Sequence, residues 1–180
     1  MKLRHIYLLT ILISCLIIGT MTGCTQGQGV HDQYTENIPE TSSVPMPHIQ
    51  DRPVINTPLR EELIREYTQK HYGEAITEIV PQAVVIHWTA SDSAEGTYKW
   101  FNREEYTDGT LNVCSQFLVD RDGTIYRLTP ETFFCRHIIG YNWCSIGIEN
   151  VGGVNGAEDL TQEQATANIA LIRYLHAKYP

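Results

Sequence analysis

Two side chains in this sequence have the type and the setting to do chemistry together: His87 and Glu149. His87 closes the apolar run Ala83-Val84-Val85-Ile86-His87-Trp88, and a small polar stretch, Thr89-Ala90-Ser91-Asp92, follows it. In an extended strand Val85 and His87 share one face while Val84 and Ile86 share the other. A neutral imidazole at such a strand end can hold a metal at a fixed angle, provided its second nitrogen has a partner. A hydrogen-bonded rim histidine is the plainer alternative. Glu149 lies in Ser145-Ile146-Gly147-Ile148-Glu149-Asn150, where the isoleucines point one way and Ser145, Gly147 and Glu149 the other. An unpaired carboxylate is costly in a core, so its face is expected to line a cleft, with Gly147 keeping that face open. At the rim of a partly dry cleft, a carboxyl whose pKa rises toward neutrality can act as a general base. An exposed strand-end glutamate is the competing reading.

Cysteines offer other chemistry. Of the five, Cys15 and Cys24 sit near the N-terminus, leaving Cys114, Cys135 and Cys144. Outside the cytoplasm, three cysteines permit one disulfide and a leftover thiol. Cys114 with Cys135 or with Cys144 are both open pairings. A Cys144–His137 pair would define a cysteine hydrolase, but no oxyanion partner is evident beside Cys144. Cys135, His137 and Cys144 have zinc-ligand side chains, though their C-x-H spacing is not that of a closed site.

The elements that must position these groups belong to a chain of 180 residues, 42% hydrophobic and 19% charged. That suits one globular domain with appendages. A net charge of −8 and the absence of a Lys/Arg cluster exclude nucleic acid as a partner. Thr57-Pro58 opens a helix that ends near Gly73, with Leu59, Leu63 and Tyr67 at helical spacing. The run 83–88 reads as a buried strand. Two further strands, 113–121 and 124–128, meet at Asp122-Gly123, a dipeptide suited to a type I′ hairpin. Residues 145–151 form another strand. Thr161-Gln162-Glu163-Gln164 has the form of a capping box, opening a helix that runs to about Lys178. The expected fold is α/β, a mixed central sheet flanked by helices.

The N-terminus reads as an address. Lys2, Arg4 and His5 precede the apolar run Ile6–Ile18, which is shorter than the ~20 residues a membrane-spanning helix needs. Met21-Thr22-Gly23-Cys24 resembles the lipobox of bacterial lipoproteins, which implies lipidation at Cys24 after removal of residues 1–23. The alternative is an ordinary cleaved signal. Either reading places the protein outside the cytoplasm, and the first makes it a membrane-anchored lipoprotein. Residues 24–57, with Pro39, Pro45, Pro47 and Pro53 and few large apolar side chains, are expected to be a flexible tether.

Four motifs occur in order: Val84–Ala90, Phe117–Leu128, Arg136-His137 and Ser145–Gly152. From about residue 76 to 180 they make the chain resemble the zinc-dependent N-acetylmuramoyl-L-alanine amidases, the group that includes phage lysozyme-like amidases and peptidoglycan recognition proteins. The resemblance implies hydrolysis of the amide between N-acetylmuramic acid and L-alanine, with peptidoglycan as partner and Zn2+ as cofactor. It makes His87 a zinc ligand and Glu149 the group that activates a metal-bound water. His137, Tyr141 and Asn142 become substrate-groove residues. Ser115-Gln116 departs from the Tyr-His or Ala-His pair of many members. In the family the other two ligands follow the last helix, so the domain of residues 58–180 is expected to lack its last strand and metal loop. His176 lies on the helix itself. A binding module that keeps the groove without catalysis is the alternative function.

Overall fold

The structure, a computed structural model, describes residues 44–180. The expected signal segment, Cys24 and the tether up to residue 43 lie outside the described residues. Five strands form one sheet in the order β1-β4-β3-β5-β2. They are β1 (Ile49–Asp51), β2 (Ala83–Trp88), β3 (Phe117–Val119), β4 (Ile125–Arg127) and β5 (Ser145–Asn150). Only β3 and β4 run antiparallel; β1 with β4, β3 with β5, and β2 with β5 are parallel. Three helices accompany them: α1 (Pro58–Tyr72), α2 (Ala94–Phe101) and α3 (Gln162–Lys178). The mixed α/β class expected from the sequence is the class observed.

Local chemistry sets the helix ends. The Thr57 hydroxyl accepts from the Leu59 N–H, Pro58 occupies the first turn, and Gly73 closes α1 in a left-handed conformation at φ 80°. Thr161 and Gln164 make the reciprocal capping box at the start of α3. Side-chain alternation then sorts the sheet. Phe117, Val119, Ile146 and Ile148 share a buried cluster with Leu63, Ile64 and Tyr67 of α1 and Leu171 and Leu175 of α3. Leu118 turns to the other face and packs with Val54, Leu128 and the α2 residues Ala94 and Phe101. Leu118 is the register partner of Glu149, so the carboxylate shares that second face.

Three expectations change. Residues 49–57 are not tether, because β1 pairs with β4, Arg52 and Val54 donate backbone hydrogen bonds to Arg127 and Leu128, and Val54 is buried. Pro53 is tolerated here because it follows an edge strand, where few backbone donors are needed. Strand β2 is likewise an edge rather than a buried strand, with Ile86 52% exposed. The hairpin has a three-residue loop: Asp120 and Thr124 close it, Gly123 N–H donates to Asp120, and Gly123 takes the positive φ while Asp122 does not. That is a turn followed by a glycine bulge, not type I′. In addition, α2 occupies a stretch to which the sequence analysis assigned no element. Its signal was Ser93, whose side chain caps the Gly96 N–H.

Arg60 binds the N-terminal segment to the rest. It is 2% exposed and donates to the carbonyls of Ile55, Phe101 and Arg103. Arg60→Met strips three carbonyls of a charged donor, and urea unfolding should show a loss of roughly 2–4 kcal/mol.

Candidate active site

The sheet register brings the two singled-out groups together. On parallel neighbours β2 and β5, His87 is the Cα partner of Glu149 and Val85 that of Gly147. Partners on parallel strands project from the same face, about 4.8 Å apart. Gly147 does leave room on that face, and the room is filled. The His137 ring lies flat over it, so that a Cβ on Gly147 would stand 2.9 Å from His137 Cγ.

His137 therefore belongs with His87 rather than standing apart in a groove. Its Nδ1 is 2.9 Å from His87 Nε2, and its Nε2 is 3.2 Å from the Ser145 carbonyl oxygen. The two rings meet edge to face at 78°. A carbonyl only accepts, so the His137 proton sits on Nε2. Burial holds His137 neutral, its pKa lowered to about 4. Nδ1 then accepts from His87 Nε2–H, which leaves His87 Nδ1 as the free lone pair. Burial also lowers the His87 pKa.

Asn142 does not line a groove. It is fully buried, its Oδ1 accepts from the His137 and Ile138 N–H groups at 2.8 and 2.6 Å, and its amide donates to the Tyr72 and Tyr67 hydroxyls. Its task is to fix the backbone that carries His137. Tyr141, by contrast, is 60% exposed, on a loop with exposed Ile139 and Trp143. Ser115 and Gln116 are fully buried and spend their side chains on backbone: the Ser115 hydroxyl on Phe117 O, and Gln116 on Gly147 N–H and Phe133 O. Neither is a second catalytic group. Beyond His87, Ala90 takes φ 51°, and the Thr89 hydroxyl accepts from the Ser91 and Gly152 N–H groups, pinning the cleft rim.

Glu149 is the electrostatic centre. Its Oε2 is buried without a hydrogen-bond partner, and desolvation pushes its pKa up to about 8. Such a group is poised to exchange a proton near neutral pH. Among the described residues, no three His, Cys, Asp or Glu side chains converge on one point. His87 supplies one nitrogen, so these residues do not by themselves build a three-ligand zinc centre.

A family model described as Amidase_2, N-acetylmuramoyl-L-alanine amidase, matches residues 77–180, more than half the chain. The chain belongs to this family. An endolysin of Enterobacteria phage K11 is 32% identical over 76 residues, which cover 40% of this chain and 50% of that protein. The chain thus spans about half the length of that curated relative. Two solved structures from Clostridium intestinale URNW resemble it. The endolysin amidase LysCS is 28% identical with a TM-score of 0.52, covering 76% of this chain and 78% of its own. The amidase LysC is 25% identical with a TM-score of 0.50, covering 74% and 77%. Amidase_2 members are generally zinc-dependent, and His87 and Glu149 both fall inside the matched segment of this one.

The Glu149 shift has a sign that can be measured. Its native pKa of about 8 exceeds the ordinary 4.5, so between those values the folded carboxyl keeps a proton that the unfolded one has lost. The stability it contributes is complete below about pH 4.5 and is lost as pH rises through about 8. Urea midpoints should fall over that window, and Glu149→Gln should flatten the decline. An equally steep decline in the variant would assign the effect elsewhere.

Proposed function

We propose that this Amidase_2 chain is a peptidoglycan hydrolase that cleaves the amide between N-acetylmuramic acid and L-alanine, with zinc as its cofactor. The observation that carries the reading is the juxtaposition of His87 and Glu149 on one face of parallel strands. The family match supports the substrate class. His87 is the imidazole this reading gives to the metal, through the nitrogen that His137 leaves free. Zinc, when bound, polarises the amide carbonyl and lowers the pKa of water. Glu149 takes a proton in the cleft and returns it to the leaving amine. Its desolvated setting favours proton uptake, because the neutral acid is its preferred form. Tyr141 offers an exposed ring to the substrate.

The test is release of free stem peptides from purified peptidoglycan, followed by mass spectrometry. Glu149→Gln should keep the metal content and lose turnover by roughly 10²–10⁴-fold, as for removal of a general base. His87→Ala should lose both metal and hydrolysis while still sedimenting with cell walls. Wild-type turnover in either variant would overturn its assignment. A non-catalytic wall-binding module is the second reading, favoured by the incomplete ligand set among the described residues. It predicts wall binding with no stem peptide released by the unaltered protein.

We also propose that the protein acts outside the cytoplasm, anchored to a membrane by lipid on Cys24. The motif Met21-Thr22-Gly23-Cys24 supports this. Detergent-phase partitioning should be lost in Cys24→Ala. Unchanged partitioning would remove Cys24 from the anchor.

A further inference from the structure

We infer that Cys114 and Cys135 form a disulfide beneath the Glu149 cleft, while Cys144 stays a free thiol. The sequence leaves the pairing of these three open; the packing does not. Cys114 and Cys135 are 4% and 2% exposed and belong to one apolar cluster with Leu118, Leu128 and Val151. The Cys114 thiol donates to the Ser115 carbonyl at 3.4 Å, and the Cys135 sulfur lies 3.5 Å from the Thr129 hydroxyl. The backbones are joined beside them, where Cys114 N–H donates to the Arg136 carbonyl at 3.0 Å. Cys144 lies outside that cluster, at the foot of β5, with its thiol directed at the Tyr141 carbonyl.

All three are thiols in this structure. Two buried thiols packed in one cluster are the pair placed to bond, and the bond would close a loop that already holds the β3–β4 pairing. The oxidant is an exchanging low-molecular-weight disulfide. A Cys114 or Cys135 thiolate attacks it and expels one thiol. The remaining cysteine then displaces the second thiol from the mixed disulfide. The two protein thiols give up two hydrogens in all, and the reagent leaves as two reduced thiols.

The position gives the bond a purpose. Cys114 lies on the segment that leads into β3, whose Leu118 is the register partner of Glu149. Cys135 lies two residues before His137. Joined, they would tie the strand beside Glu149 to the segment that delivers the second imidazole. The inference is independent of the proposed hydrolysis, because it concerns the floor of the cleft.

The full-length protein, refolded from denaturant in a mixture of reduced and oxidised glutathione, provides the test. It is alkylated without reductant and digested with trypsin. The three cysteines fall on separate peptides, residues 104–121, 128–136 and 137–173. The expected product is 104–121 joined to 128–136, two hydrogens lighter than their sum, with Cys144 alkylated. Cys144→Ser should retain this cross-link, and Cys135→Ser should abolish it without creating another. Recovery of Cys114 and Cys135 both alkylated, or of either joined to Cys144, Cys15 or Cys24, would overturn the assignment.

Discussion

Everything distinctive about this molecule depends on the in-register parallel pairing of β2 with β5. Parallel strands keep partnered residues on a common face, so a single choice of register places an imidazole beside a carboxylate. A slip of one residue would turn His87 away and put Ile86 or Trp88 beside Glu149 instead. The alternation within β5 reinforces the choice. Ile146 and Ile148 are committed to the core under α1 and α3, so Gly147 and Glu149 have no other face to occupy. Hydrophobic burial on one side thus fixes polar chemistry on the other.

The carboxylate sets the electrostatic character of the cleft. A buried Oε2 with no partner is unfavourable, and the protein meets that cost by keeping the group neutral over the middle pH range. The neighbouring imidazoles answer the same dry surroundings in the opposite direction, since burial disfavours their charged forms. The cleft therefore holds three titratable groups and almost no formal charge near neutrality. Such a site can bind a neutral amide without first displacing an ion pair.

How much of this was legible in the residues depended on range. Caps, turns and strand faces are local, and they could be read directly: Thr57 and Pro58, the Thr161–Gln164 box, the alternation of 145–150. The pairing of His87 with Glu149 needed a resemblance to supply the register, because alternation shows which way a side chain points but not what it meets. What escaped reading was long-range. Residues 49–57 look like tether because their partners, Arg127 and Leu128, lie far along the chain. Asn142 resembles a groove residue in sequence, yet its partners are two tyrosines of an earlier helix. The short helix α2 is hidden by the glycine and threonine within it, which lower helix propensity.

Those two tyrosines carry a last implication. The family match begins at residue 77, whereas Tyr67 and Tyr72 lie upstream of it on α1. Their hydroxyls hold the amide that holds the His137 backbone, so a helix outside the matched boundary acts as a strut for the interior. Loss of its final turn would take away the Tyr72 hydroxyl that Asn142 holds. The working unit of this protein thus begins well upstream of the segment by which its kinship is recognised.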